Sequence, residues 1–201
     1  DTVADSVIDV NSSTFSASAG QIGIIGAGNF TSATMIPALM KAKARIRYIA
    51  SAQGLSAKIL AKKSGALKAT SDYKEILSDK EVDLVMITTR HNLHASMVLE
   101  SLQAGKSVFV EKPLCLTDQE LQEITNAYKK VSGKGITLTV GFNRRFSPFA
   151  QKMKQLSGQG VKNIIATMNA GFIPSDVWVH DLEVGGGRIL ERLATLLICV
   201  R

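Results

Sequence analysis

The chain has 201 residues, 45% of them hydrophobic and 20% charged, with a formal net charge of +7. That supports a real core in one domain or two small ones, while no stretch approaches the ~20 apolar residues of a membrane span. Two cysteines and three histidines supply neither a disulfide framework nor a zinc constellation, which points to a reducing, cytoplasmic setting. The positive charge is scattered over helix faces and turns, as at Lys58, Lys62 and Lys63 or Lys129, Lys130 and Lys134. No aromatic residues interleave with it to form a stacking platform, so nucleic acid is not expected as a partner.

Residues 1–20 are polar and Ser-rich and lack the basic-then-apolar order of a signal peptide. They read as a linker or disordered segment, and the missing initiator methionine reads as part of something longer. A short apolar strand over Gln21–Ile25 then runs into Gly26-Ala27-Gly28, followed at once by a helical pattern with Met35, Ile36, Leu39 and Met40 on one face. In such a turn the first glycine permits the tight reversal and the second lets the backbone approach a pyrophosphate. The helix N-terminus supplies free N–H donors to the phosphates. The third position, usually Gly or Ala, is Thr31, from which slightly looser packing of strand on helix is expected.

Alternation continues with a strand over Arg45–Ser51, a helix over Leu55–Lys63, a short helix over Ser71–Leu77, a strand over Leu84–Ile87 and a helix over His94–Ala104. Where an acid usually holds the NAD 2′-hydroxyl, the chain has Ser51-Ala52-Gln53-Gly54. Absence of the acid removes repulsion against a 2′-phosphate, which Lys58 or Lys62 would reach. No arginine sits in that turn, so NAD and NADP both stand.

Val108-Phe109-Val110 reads as a strand covered on both faces, ended abruptly by Glu111-Lys112-Pro113. A lone lysine at a strand end usually reaches water, but in an open parallel sheet ligands bind outside the carboxyl ends of the strands. Thr117-Asp118-Gln119-Glu120 is a capping box opening a helix with Leu121, Ile124 and Tyr128 on one face, and Ile136–Gly141 is a further strand. The alternation specifies an α/β, Rossmann-type doubly wound parallel sheet over residues 21–143. Residues 144–201 lie beyond this alternation.

The Gly26-x-Gly28 turn, Thr88-Thr89-Arg90-His91-Asn92-Leu93-His94, Ala104-Gly105-Lys106, Glu111-Lys112-Pro113 and Gly141-Phe142-Asn143-Arg144-Arg145-Phe146 resemble the Gfo/Idh/MocA oxidoreductases over residues 21 to 190. More narrowly, the chain looks like the branch in which a zinc-type alcohol dehydrogenase-like part lies upstream. The resemblance implies NAD or NADP as cofactor and hydride transfer to or from a sugar-like or cyclitol carbon, with Lys112 catalytic. It implies cofactor contacts at Gly26, Gly28, Asn29, Phe30, Ser51, Thr89, His91, His94, Glu111, Lys112 and Asn143, and no metal. It also implies that residues 144–201 begin an incomplete α+β substrate domain. Arg90 and His91 depart from the family's common Pro-Asn. A homo-oligomer through the C-terminal sheet is expected if that sheet is complete. The other function class is a non-catalytic dinucleotide-binding module acting as sensor or scaffold.

Val184-Gly185-Gly186-Gly187-Arg188-Ile189-Leu190 follows the family's approach to a helix that usually carries a histidine with an acid nearby, and the match then stops. The branch would continue approximately as Gly-Glu-Ala-Cys-His-Phe-Ile-Asp-Leu-Cys. One coding of that peptide is GGA GAG GCT TGC CAC TTT ATT GAT CTG TGT. Deleting a single G gives Glu-Arg-Leu-Ala-Thr-Leu-Leu-Ile-Cys-Val, which is residues 191–200 here. Residues 191–201 are therefore expected to be a frameshifted tail, leaving a fragment with impaired activity.

Overall fold

A computed structural model describes residues 6–11, 20–161, 163, 165, 167, 169 and 171–187. The expected tail at 191–201 lies outside these described residues. Seven strands form one sheet: β1 (Val7–Asp9), β2 (Gln21–Ile25), β3 (Arg45–Ala50), β4 (Lys68–Thr70), β5 (Leu84–Ile87), β6 (Ser107–Val110) and β7 (Leu138–Val140). Their order is β1-β4-β3-β2-β5-β6-β7, with every pairing parallel except β1 on β4. The chain lays down β2, β3 and β4 in one direction, returns, and lays down β5, β6 and β7 in the other. The reversal falls between β2 and β5, where a doubly wound sheet opens a crevice at its carboxyl edge.

The core has two layers, one on each face of the sheet, because successive side chains of a strand point to opposite faces. Ile22, Ile24, Ile46, Ile49 and Met86 pack on one face with α1 (Ile36–Lys41) and α2 (Leu55–Ser64), through Ile36, Ala57, Leu60 and Ala61. Ile25, Tyr48, Val85, Ile87, Val108 and Val110 pack on the other. There they meet α3 (Lys74–Ser78), α4 (His94–Gln103) and α5 (Asp118–Val131), through Ile76, Val98, Leu102 and Ile124. Each fully buried Ile, Leu or Val contributes roughly 1.5–3 kcal/mol of transfer free energy. Phe109 turns to the first layer and Val108 and Val110 to the second, so β6 is covered on both faces as its composition predicts.

Several expectations change in detail. Within the stretch expected to be linker, Val7–Asp9 forms β1, pairing antiparallel with Lys68–Thr70. The bare edge of β4 offers unpaired N–H and C=O groups, which β1 takes up, and Val7 packs on the core. Asn11 fixes the exit by donating from Nδ2 to the Ala66 carbonyl at 2.6 Å. β4 itself has only three residues and no alternating pattern long enough to show in sequence. The first helix opens at Asn29, widens into a π-helical turn over Thr31–Met35 and continues as α1. Met35 and Ile36 are buried and Leu39 packs against the core, but Met40, in the last turn of α1, is exposed. On α5 the capping box forms and Ile124 is buried, while Leu121 is exposed and Ala127, Tyr128 and Val131 flank the core.

After β7 come a 3₁₀ turn over Asn143–Phe146 and α6 (Pro148–Leu156), whose first turn Ser147 caps by accepting the Ala150 N–H. A second short turn, Trp178–His180, precedes the glycines at 185–187.

Candidate active site

A cleft of about 1250 Å³ runs along the carboxyl edge of the sheet. Each strand feeds it in turn. β2 delivers Gly26 to Phe30, β3 delivers Ser51 to Gln53, and β4 delivers Ser71, Asp72 and Tyr73. β5 brings Thr88 to His91, β6 brings Glu111 and Lys112, and Asn143 and Arg144 follow β7. All eleven residues predicted as cofactor contacts line it: Gly26, Gly28, Asn29, Phe30, Ser51, Thr89, His91, His94, Glu111, Lys112 and Asn143.

The turn after β2 shows why its two glycines differ. Gly26 has φ +114°, and a Cβ there would lie 2.6 Å from Thr88 Oγ1 and 2.8 Å from the Thr88 backbone. At Gly28 a Cβ would meet nothing within 4 Å, so this position opens to the cleft. Thr31 does not loosen the packing. It is fully buried, and its hydroxyl shares a 2.8 Å hydrogen bond with the Thr88 hydroxyl, which lies 3.1–3.2 Å from the Ile25 and Gly26 carbonyls. A helix start whose first N–H groups have no intrahelical acceptor faces this open backbone. With an unobstructed Gly28 and a cleft of this length, the residues present fit a dinucleotide.

Glu111 and Lys112 lie at the far end. Burial pushes the Glu111 carboxyl above the ordinary carboxylate range, against the pull of the Lys112 N–H and charge. Its Oε1 rests over Gly141, where a Cβ would come within 2.7 Å. The Lys112 peptide to Pro113 is cis. His94 is fully buried: its Nδ1 lies 2.6 Å from the Pro113 carbonyl and its Nε2 3.2 Å from the Thr89 carbonyl. A neutral ring has one N–H, and the shorter contact takes it. His94 therefore ties the turn after β5 to the loop carrying Lys112, more a strut than a solvent-facing contact.

Burial is also the largest influence on His94 and holds its imidazole below the ordinary value of 6.5. The unfolded chain then binds more protons near and below that value, so stability is complete above about pH 6.5 and is lost as pH falls through the folded pKa. Thermal melts between pH 7.5 and 5 are expected to show this loss, by up to about 1.4 kcal/mol per pH unit. In His94→Gln the segment should flatten, and an unchanged pH slope would assign it elsewhere.

His91 and Trp178 both line the cleft and meet there. His91 Nδ1 lies 2.7 Å from the Gly185 carbonyl, and the Asn92 N–H donates to the Val184 carbonyl at 3.1 Å. The Trp178 ring meets His91 edge-on at 4.8 Å, with the Arg90 guanidinium 5.9 Å from its centroid. Trp178, Arg144, Thr88 and Asp72 line the cleft but were missed as site residues. Trp178 is the chain's single tryptophan, but nothing local places it at the cleft, and Asp72 reads in sequence only as a helix-start residue. Lys58 and Lys62, expected to reach a 2′-phosphate, are exposed and line no part of the cleft. Among the described residues, no group of three or more His, Cys, Asp or Glu is placed to hold a metal ion. No helix there is long and apolar enough to cross a membrane.

The sequence model of an oxidoreductase family with an NAD-binding Rossmann fold, Gfo/Idh/MocA, matches residues 21–142. The chain belongs to that family. Among curated proteins, an uncharacterized oxidoreductase of Bacillus subtilis (strain 168) is 34% identical over 178 residues, covering 81% of this chain and 51% of that protein. The scyllo-inositol 2-dehydrogenase (NAD(+)) of the same organism is 39% identical over 141 residues, 62% of this chain and 40% of that protein. A solved 3-ketoreductase from Actinomadura kijaniata, in complex with NADP and TDP-benzene, superposes with a TM-score of 0.72 at 25% identity, covering 86% of this chain and 53% of that one. The chain spans about half the length of the first two curated relatives it matches. Other Gfo/Idh/MocA relatives are named inositol and dihydrodiol dehydrogenases.

Proposed function

We propose that this module binds NAD or NADP along the cleft and transfers a hydride between the nicotinamide and a sugar-like or cyclitol carbon bearing a hydroxyl. The observation that carries this reading is the placement of Lys112 at the end of β6 in the same cleft as the Gly26–Gly28 turn. The inositol dehydrogenases among the relatives support the substrate class. The nicotinamide, when bound, accepts or donates the hydride.

In the oxidation direction the hydroxyl proton must leave as the carbon gives up its hydride, and Lys112 Nζ is the group positioned to take it. Reduction returns that proton. Glu111, His94 and Pro113 hold the Lys112 backbone, Asn143 and Arg144 stand where the chain leaves the sheet, and Trp178 walls the open end. Gly28 and the first helix turn receive the pyrophosphate. We further propose that an upstream zinc-type alcohol dehydrogenase-like part accompanies this module, that it works in the cytoplasm, and that a complete C-terminal sheet would form a homo-oligomer.

The break in the family pattern after Leu190 favours a second reading for this chain, a dinucleotide-binding module with little or no turnover. One comparison separates the two. The chain as given and a version with the reading frame restored after Leu190 are titrated with NADH and NADPH and assayed on inositols and sugars. Binding by both with turnover only in the restored chain is the expected result. Binding without turnover in either leaves the sensor reading, and equal turnover in both would refute the impairment.

A further inference from the structure

Resting on the cofactor reading above, we propose that Asp72 selects NAD(H) over NADP(H), an acid supplied from β4 in place of the one missing after β3. The turn Ser51–Gly54 stands where the adenosine ribose is expected, and it carries no acid of its own. The tertiary fold brings one alongside. The Ser51 N–H donates to the Thr70 carbonyl at 3.1 Å, and a Cβ placed on Gly54 would lie 3.9 Å from Ser71 Cβ. Ser71 and Asp72 thus flank the ribose turn, and both line the cleft.

The carboxylate is held there. Asp72 Oδ1 accepts the Lys74 N–H at 2.9 Å, and the Asp72 N–H donates to Thr70 Oγ1 at 3.0 Å. The neighbouring cation does not offset it, because the Lys74 ammonium is paired with Glu100. Across the turn, Ser56 faces the cleft, with its hydroxyl 2.7 Å from that of Ser51. Lys58, two residues further along α2, lies about 200° around the helix from Ser56 and points to solvent. The cations that line the cleft, Arg90, Lys112 and Arg144, all follow β5, β6 and β7, at the opposite end. Among the described residues that line the cleft, the adenosine end therefore presents the Asp72 carboxylate and no lysine or arginine, which suits a ribose 2′-hydroxyl and repels a 2′-phosphate.

The test is calorimetric titration of the chain with NADH and NADPH, with 5′-AMP and 2′,5′-ADP as probes of the adenosine end alone. NADH is expected to bind at least about tenfold tighter than NADPH, with 5′-AMP preferred over 2′,5′-ADP, and the gap should narrow as salt is raised. Asp72→Asn keeps a side-chain oxygen for the Lys74 N–H and removes the charge. It should raise NADPH affinity, closing the gap to about threefold or less, with an unchanged thermal melt. NADPH binding as tightly as NADH in the parent, or an unchanged ratio in Asp72→Asn, would overturn the proposal. Failure of both dinucleotides to bind would instead bring down the cofactor reading beneath it.

Discussion

Lys112→Met is expected to lower kcat/KM for hydride transfer by about 10²–10⁴-fold while leaving NADH affinity nearly unchanged. The measurement belongs on the chain with its frame restored after Leu190. Methionine keeps the length and apolar stem of the side chain but removes the amine proposed to carry the proton. The fold should tolerate it, because Lys112 is half-buried at a strand end, outside the two core layers. Lys112→Arg should not rescue the rate, since a guanidinium stays protonated and cannot accept the hydroxyl proton. The split matters: lost turnover with retained NADH binding assigns Lys112 to proton transfer, whereas parallel loss of both would make it a cofactor contact. A variant keeping more than about a tenth of the parent rate would remove it from the chemistry.

Gly26→Ala and Gly28→Ala should fail in opposite ways. At Gly26 the added methyl meets the Thr88 hydroxyl and backbone at 2.6–2.8 Å with φ at +114°. Thr88 cannot retreat, because its N–H is bonded to the Ile25 carbonyl at 2.8 Å and its hydroxyl to Thr31. Strain and overpacking together cost about 2–4 kcal/mol, lowering Tm by roughly 10 °C. At Gly28 the methyl meets nothing within 4 Å, so the melt should stay close to the parent's. NADH affinity should fall at least about tenfold, since the methyl would enter the space proposed for the pyrophosphate. A Gly28→Ala protein that binds NADH normally would move the phosphates away from this turn.

Much of the fold was legible because long, strongly patterned segments declare themselves. β2, β5 and β6 are largely apolar runs buried on both faces, β3 alternates arginine with apolar residues before its buried end, and α4 and α5 carry helical periodicity, α5 with its capping box. Short pieces did not show. β1 and β4 have three residues each, and each is a strand because of the edge it pairs with, β4 on β3 and β1 on β4, rather than its own composition. Met40 and Leu121 are exposed because the residues that would cover a helix face come from other parts of the chain, which helical periodicity does not specify.

The site divides along the same line. Gly26, Gly28 and Lys112 could be read from sequence because each lies directly beyond a strand, where backbone geometry and sheet topology alone define the address. Asp72 and Trp178 could not. Asp72 is some twenty residues past the ribose turn in sequence yet beside it in space, through the pairing of β4 with β3. Trp178 reaches the cleft only because the segment before the glycines docks on His91 and Asn92. By itself, then, the sequence determined the doubly wound sheet, the glycine turn and the lysine at its carboxyl edge, since hydrophobic period and turn chemistry act between near neighbours. Only the tertiary structure decided which charges share the cleft, that His94 is a buried strut, and that Asp72 stands beside the turn after β3. Those depend on strand order and loop docking, contacts between residues that no local pattern brings together.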